Sequence, residues 1–372
     1  MTIRLLLGAY QPHIYDVLFH PPTPFTAPRL ELQQKLNIGP NASWLCQHPT
    51  HKDVWYAVFE CESKPEVVAF SIGSKAEGEE VQAELLGRVP ASGTPCHVQV
   101  VGGATGLAIA NYYGGSAFLV PLRPDGRFAV EPEVLTTPNL IKFTYLSEEE
   151  PKAHQCVDVP SKGEVWVVDT GNSGVWRLKL TKDKDGLASW ENGGFEPTAF
   201  GHAPRQIIVS DDASQLYTLH ARSCLVTHDN LSFPPDHPQR QVSVHDINPT
   251  GHHVDMATRE PMSMPLAAAL TLHKPSSTFT ATVRLLKDEP VDAVAFFTLR
   301  ADGTLTRPGI IRPSRGREYR GVGFVGDCFL VAGQDDGWIT CFAWDKETDK
   351  WEEKEFDPPV RLDKVVDFKV FR

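Results

Sequence analysis

The sequence predicts an all-β protein, a seven-bladed β-propeller of four-stranded antiparallel blades closed by pairing of its N- and C-terminal strands. Three observations predict it. Strand-like units recur at intervals of roughly 50 residues, a spacing in the range of propeller blades. Each unit carries two short strands around a Gly-, Asn- or Asp-rich turn. Apolar residues at 3.6-residue helical spacing are nearly absent.

The first strands of six units read Val54–Phe59, Leu107–Ala110, Val165–Val168, Leu216–Leu219, Phe279–Val283 and Cys328–Ala332. They are β-branched or aromatic and bounded by turn residues, as strands are. Their turns match: Asn111-Tyr112-Tyr113-Gly114-Gly115-Ser116, Asp169-Thr170-Gly171-Asn172-Ser173-Gly174 and Gln334-Asp335-Asp336-Gly337 each lead into a second apolar strand. The ends of the chain supply the rest, Ile3–Leu7 with Ile14–Phe19, and Val365–Val370. Pairing them closes a seventh blade and leaves the ring no open sheet edge. Ala83–Arg88 is too short to count as a helix. The proline-rich stretches Pro21–Pro28, Pro234–Pro238 and Pro358-Pro359 are expected between units. Residues 231–265 form the longest irregular stretch, with His237, His245, His252 and His253, and are expected to be a loop insertion over one face.

The chain of 372 residues is therefore expected to be one propeller domain, residues 1–372. Hydrophobic residues at 41% and charged residues at 22% exclude a mostly disordered or collagen-like chain. The net charge of −11, without a long basic run, argues against nucleic acid as a partner. No apolar stretch approaches the ~20 residues that span a bilayer, so no membrane partner is expected. Met1–Tyr10 is interrupted by Arg4 and Gly8 and does not read as a secretory signal. Seven widely spaced cysteines without CxxC pairs point to free thiols in a reducing compartment, and a cytoplasmic protein is expected. Nothing marks a zinc, nucleotide or dinucleotide site, and no cofactor is expected. Asn111, Asp169 and Asp335 recur at strand ends, where turn chemistry is the preferred reading over Ca²⁺ ligation. Oligomeric state is left open.

A further element precedes the first strands: Thr94-Pro95-Cys96-His97-Val98, Ala153-His154-Gln155-Cys156-Val157, Ala203-Pro204-Arg205-Gln206-Ile207 and Tyr319-Arg320-Gly321-Val322. With the Asn111–Gly115 turn and Gly333-Gln334-Asp335, these resemble the seven-bladed lactonase family, which includes bacterial 6-phosphogluconolactonases and fungal carboxy-cis,cis-muconate cyclases. The order and spacing of the motifs carry the resemblance over nearly the whole chain. It implies a histidine and two arginines near the channel mouth, at His154, Arg205 and Arg284. His97, Arg320 and Gln334 follow as substrate contacts. The glutamate that the resemblance implies alongside them falls on Ala221.

Those residue types suit a small anionic organic substrate. Closing a lactone onto a double bond requires an acid to deliver a proton, a role His154 fits with an ordinary pKa near 6.5. Arginines pair bidentately with carboxylates and stabilise developing negative charge. The same groups, with water as nucleophile, open a lactone. The leading expectation is a cycloisomerase or lactonase acting on a carboxylate-bearing lactone or its muconate-type acid. A 6-phosphogluconolactonase-like sugar lactone hydrolase and a catalytically inactive, partner-binding propeller are the alternatives.

Overall fold

A computed structural model describes residues 2–73, 82–129, 139–198, 202–251, 265–286, 289–345, 347–348 and 350–371. Its strands are numbered β1 to β28 along the chain. Among the described residues they form seven four-stranded antiparallel sheets. The innermost strands are β4 (Ala42–Gln47), β8 (Pro95–Val101), β12 (Ala153–Val159), β16 (Pro204–Val209), β20 (Leu266–His273), β24 (Tyr319–Val325) and β28 (Val365–Val370). Each touches the next, and β28 touches both β24 and β4, so the ring is closed. The closing blade has the order β28, β1 (Ile3–Ala9), β2 (Ile14–His20), β3 (Arg29–Leu36), with Leu5 opposite Val370 and Leu7 opposite Phe368. The seven-bladed expectation and its terminal closure both hold.

Alternation along the strands explains why the sequence reads as continuous apolar runs. Successive side chains point to opposite faces of a sheet, and here both faces of a blade meet another blade. In β1, Leu5 and Leu7 pack toward Leu330 and Cys341 of the last blade, while Leu6 packs with Trp55 and Phe70 of the second. Phe296, Phe329, Phe342 and Trp351 fill the interface between the last two blades. Each fully buried Phe or Leu contributes about 1.5–3 kcal/mol.

Residues 83–88, read as too short for a helix, lie in a strand, β7 (Ala83–Pro90), the outer strand of the second blade. Two expectations need correction. Two proline-rich stretches lie inside blades: Pro21–Pro28 joins β2 to β3, and Pro234–Pro238 joins β18 (Leu225–Asn230) to β19 (Gln241–Asp246). Proline suits these outer connections because they have no ladder to donate to. The stretch 231–265 is not wholly an insertion, since β19 pairs with β18 and completes the fifth blade. Its polar composition follows from its place at the rim, where Val242 and Val244 are exposed. His252 and His253 lie outside the described residues. No helix among the described residues is long and apolar enough to cross a membrane.

Removing residues 365–372 deletes β28 and leaves the edge of β1 unpaired. The shortened chain should melt at a lower temperature and with lost cooperativity in calorimetry. An unchanged melting transition would show that the ring does not depend on this closure.

Candidate active site

One local irregularity, repeated in every blade, builds the site. Near its start each inner strand carries one residue more than its neighbour can pair, a β-bulge, and the extra residues are Ser43, Cys96, His154, Arg205, Ala268, Arg320 and Val366. A bulge re-aims the side chain that carries it. All seven line a single cleft on the axis, which encloses about 360 Å³, part of it open to solvent. That is the low end of small-ligand sites. A second tier comes from the residue at the end of, or just after, the next strand of each blade, among them Tyr10, Glu60, Tyr112, Ala221, Arg284 and Gln334. Tyr10 and Glu60 also line the cleft.

His154 is 7% exposed, and its ring meets the edge of Tyr112 at 5.9 Å. No described residue bonds to its ring nitrogens, and Nδ1 is buried without a partner. Burial, and then the charges of Arg205 and Arg320, hold its pKa well below 6.5, so the imidazole is neutral at pH 7. Arg205 donates through Nε to the Ala268 carbonyl at 2.9 Å and has no carboxylate partner among the described residues. Burial, with Arg284 and Arg320 nearby, pushes its pKa down to about 9. The guanidinium stays charged at neutral pH, and its crowding favours any anion that arrives.

Arg320 is differently held. Its guanidinium lies over the Tyr10 ring at 5.1 Å, its Nη1 donates to Gln334 Oε1 at 3.2 Å, and its Nη2 stands 3.9 Å from Glu60 Oε1. Burial works against its charge, but Tyr10 and Glu60 outweigh it and the pKa lies above the ordinary value.

The structure therefore brings His154, Arg205 and Arg320 together. Arg284 ends β21 (Thr278–Arg284) at the second tier, and its Nη1 donates to Glu318 Oε1 at 2.6 Å. It acts on the cleft through its charge, not by lining it. Gln334 braces Arg320. His97, expected as a substrate contact, is not among the residues that line the cleft, because Cys96 occupies the bulge of β8. Its ring packs on Trp44 at 4.4 Å, and its Nδ1 accepts the Cys156 N–H at 3.3 Å. Ala221 offers only backbone, bonding Ala203 and Ala267. Glu60, Tyr10 and Cys96 were missed; equating Glu60 and Tyr10 with Tyr112 in the repeat would have found them.

Asp169 is a turn residue. Its carboxylate accepts the N–H groups of Lys152, Gly171 and Asn172 at 2.8, 3.1 and 3.1 Å, the Asn172 amide at 2.7 Å and the Trp176 indole at 2.9 Å. No group of three or more metal-ligating side chains stands together among the described residues, and all seven cysteines are free thiols.

A propeller with such a cleft belongs to a recognised class: the chain is a member of the seven-bladed β-propeller lactonase family, whose model matches residues 6–368. It is similar over 99% of its length, and 98% of that chain, to a candidate 6-phosphogluconolactonase of Bacteroides fragilis, at 20% identity and a TM-score of 0.78. The periplasmic gluconolactonase of Pseudomonas aeruginosa is matched over 100% of this chain and 99% of its own, at 19% identity and a TM-score of 0.79. A Lactobacillus plantarum protein is similar over 100% and 99%, at 19% identity and a TM-score of 0.76. At these identities the likeness establishes the fold. No curated protein matches the sequence.

The buried neutral histidines make the fold acid-sensitive. Burial pushes His97 and His220 each down to about 3, against ~6.5 in the unfolded chain. A depressed pKa contributes stability above the unfolded value, and that contribution is lost as pH falls from 6.5 toward 3. By pH 5 each should cost on the order of 2 kcal/mol. Urea unfolding at pH 7 and pH 5 measures this, and the loss should be smaller in His97→Gln. Equal stability at both pH values would contradict the buried neutral imidazoles.

Proposed function

We propose that the chain hydrolyses a small lactone in the axial cleft. The observation that carries this reading is a neutral, unpartnered imidazole, His154, beside a guanidinium without a counter-charge, Arg205. A neutral imidazole is a base. It takes a proton from water as the oxygen attacks the lactone carbonyl. Arg205 faces the oxygen that becomes negative in the tetrahedral intermediate, and a fixed donor in a buried site stabilises that charge strongly. When the ring C–O bond breaks, the imidazolium returns its proton to the leaving alkoxide. The product acid ionises to a carboxylate, for which Arg205 is the natural partner. The balance needs only water.

Family membership supports lactone chemistry, and a gluconolactonase of like fold is in keeping with a sugar lactone as substrate. The cyclase alternative asks His154 to deliver a proton as an acid, for which a depressed pKa is unsuited, and Ala221 stands where the resemblance implies a glutamate.

His154→Ala should lower kcat for lactone hydrolysis by ~100- to 10,000-fold while the melting temperature stays within a few degrees. Arg205→Gln should lower it by ~100-fold. Hydrolysis followed by pH-stat titration measures both, and the rate should survive dialysis against EDTA. Wild-type rates in His154→Ala would move the chemistry elsewhere, and loss on chelation restored by Ca²⁺ would overturn the metal-free step.

A further inference from the structure

The cleft contains one carboxyl group among the described residues, Glu60. It follows β5 (Val54–Phe59), the second strand of the second blade, and holds the same place in the repeat as Arg284 and Gln334 do in theirs. Its backbone is fixed at both ends, the N–H donating to the Asn41 carbonyl at 3.0 Å and the carbonyl accepting the Asn41 amide at 3.3 Å.

The side chain is only half used. A carboxylate offers two oxygens and about four lone-pair positions. Oε2 accepts the Tyr10 hydroxyl at 2.6 Å. Oε1 is 3.9 Å from Arg320 Nη2, beyond hydrogen-bond reach, and no other donor among the described residues approaches it. The charge of Arg320 therefore steadies the carboxylate without occupying its acceptor sites. Glu60 is 21% exposed at its side chain, and it faces the cleft.

Unused hydrogen-bonding capacity in a concave site describes its ligand by complement. The unpaired nitrogens of Arg205 call for a carbonyl or carboxylate oxygen. His154 calls for a water or hydroxyl proton. Oε1 of Glu60 calls for a donor, and it repels any second carboxylate. An unsaturated lactone bearing several carboxylates supplies no such donor; a polyhydroxylated lactone supplies several.

We propose that Glu60 is a specificity-determining residue that accepts hydrogen bonds from ring hydroxyls of the substrate and so selects hydroxylated lactones. This rests on the lactone-hydrolase reading and adds to it the class of substrate and the residue that chooses it. Tyr10 is a positioning residue, holding Oε2 so that Oε1 faces the ligand. Glutamine at this position keeps an oxygen for Tyr10 and loses the anionic acceptor; alanine loses both.

The test compares two six-membered lactones, glucono-δ-lactone and δ-valerolactone, which share the reacting group and differ in hydroxyls. In the wild type kcat/KM should favour the hydroxylated lactone. In Glu60→Ala the ratio of the two kcat/KM values should fall by ~10- to 100-fold, the range for a hydrogen bond to a charged group. In Glu60→Gln, the variant closest in shape, it should fall by less. A ratio within twofold of wild type in both variants would overturn the proposal while leaving the hydrolase reading in place. Should the wild type open neither lactone, the hydrolase reading fails. Selectivity is then read from calorimetric Kd values of the ring-opened acids, gluconate and 5-hydroxypentanoate. A preference for gluconate at least tenfold greater in wild type than in Glu60→Ala upholds the role of Glu60, and equal preference ends it.

Discussion

Seven inner strands each carry one residue too many for their ladder, and the axial cleft exists because of it. A regular strand would turn alternate side chains into the two interblade cores and leave the axis lined by backbone. The bulge breaks that alternation once per blade and sends one side chain inward. Closure by β28 makes the seven extra residues meet. The apolar packing between blades is the rigid frame, and the bulges place side chains on its axis, polar ones in most blades and Ala268 and Val366 at the equivalent positions of two others.

In and beside the cleft, electrostatics separates residues of the same kind. Arg320 is enclosed by Tyr10, Glu60 and Gln334, Arg284 is tied to Glu318, and Arg205 has only a backbone carbonyl. Three guanidiniums close together would be unfavourable without those acids. The one left uncompensated stands beside the imidazole that burial keeps neutral. A site organised in this way holds a base and an anion receptor ready before any ligand arrives, which is the arrangement that hydrolysis at a carbonyl requires.

The fold was legible because blade strands are buried on both faces and recur. Strands such as Val54–Phe59 carry no competing helical pattern. The outer strands were harder to read: β7 and β19 are largely exposed, and in β19 the alternating valines face outward, so no buried apolar run marked them. His154, Arg205 and Arg320 were legible because they share one place in a repeated motif. His97 was misplaced by a single residue, since a bulge shifts the parity of a strand and Pro95-Cys96-His97 does not say which residue is extra. Glu60 and Tyr10 were missed because their neighbouring inner strands, β4 and β28, lack the motif and carry Ser43 and Val366 instead. A pairing between neighbouring blades of residues 50 positions apart leaves no local signal.

Unspent hydrogen-bonding capacity on the axis is the imprint of the ligand. A crystal structure with gluconate, the ring-opened acid of a sugar lactone, tests it most directly. The carboxylate should lie on Arg205, within hydrogen-bond reach of His154, with hydroxyls turned toward Glu60. Gluconate bound on the outer rim with the axial cleft unoccupied would contradict it.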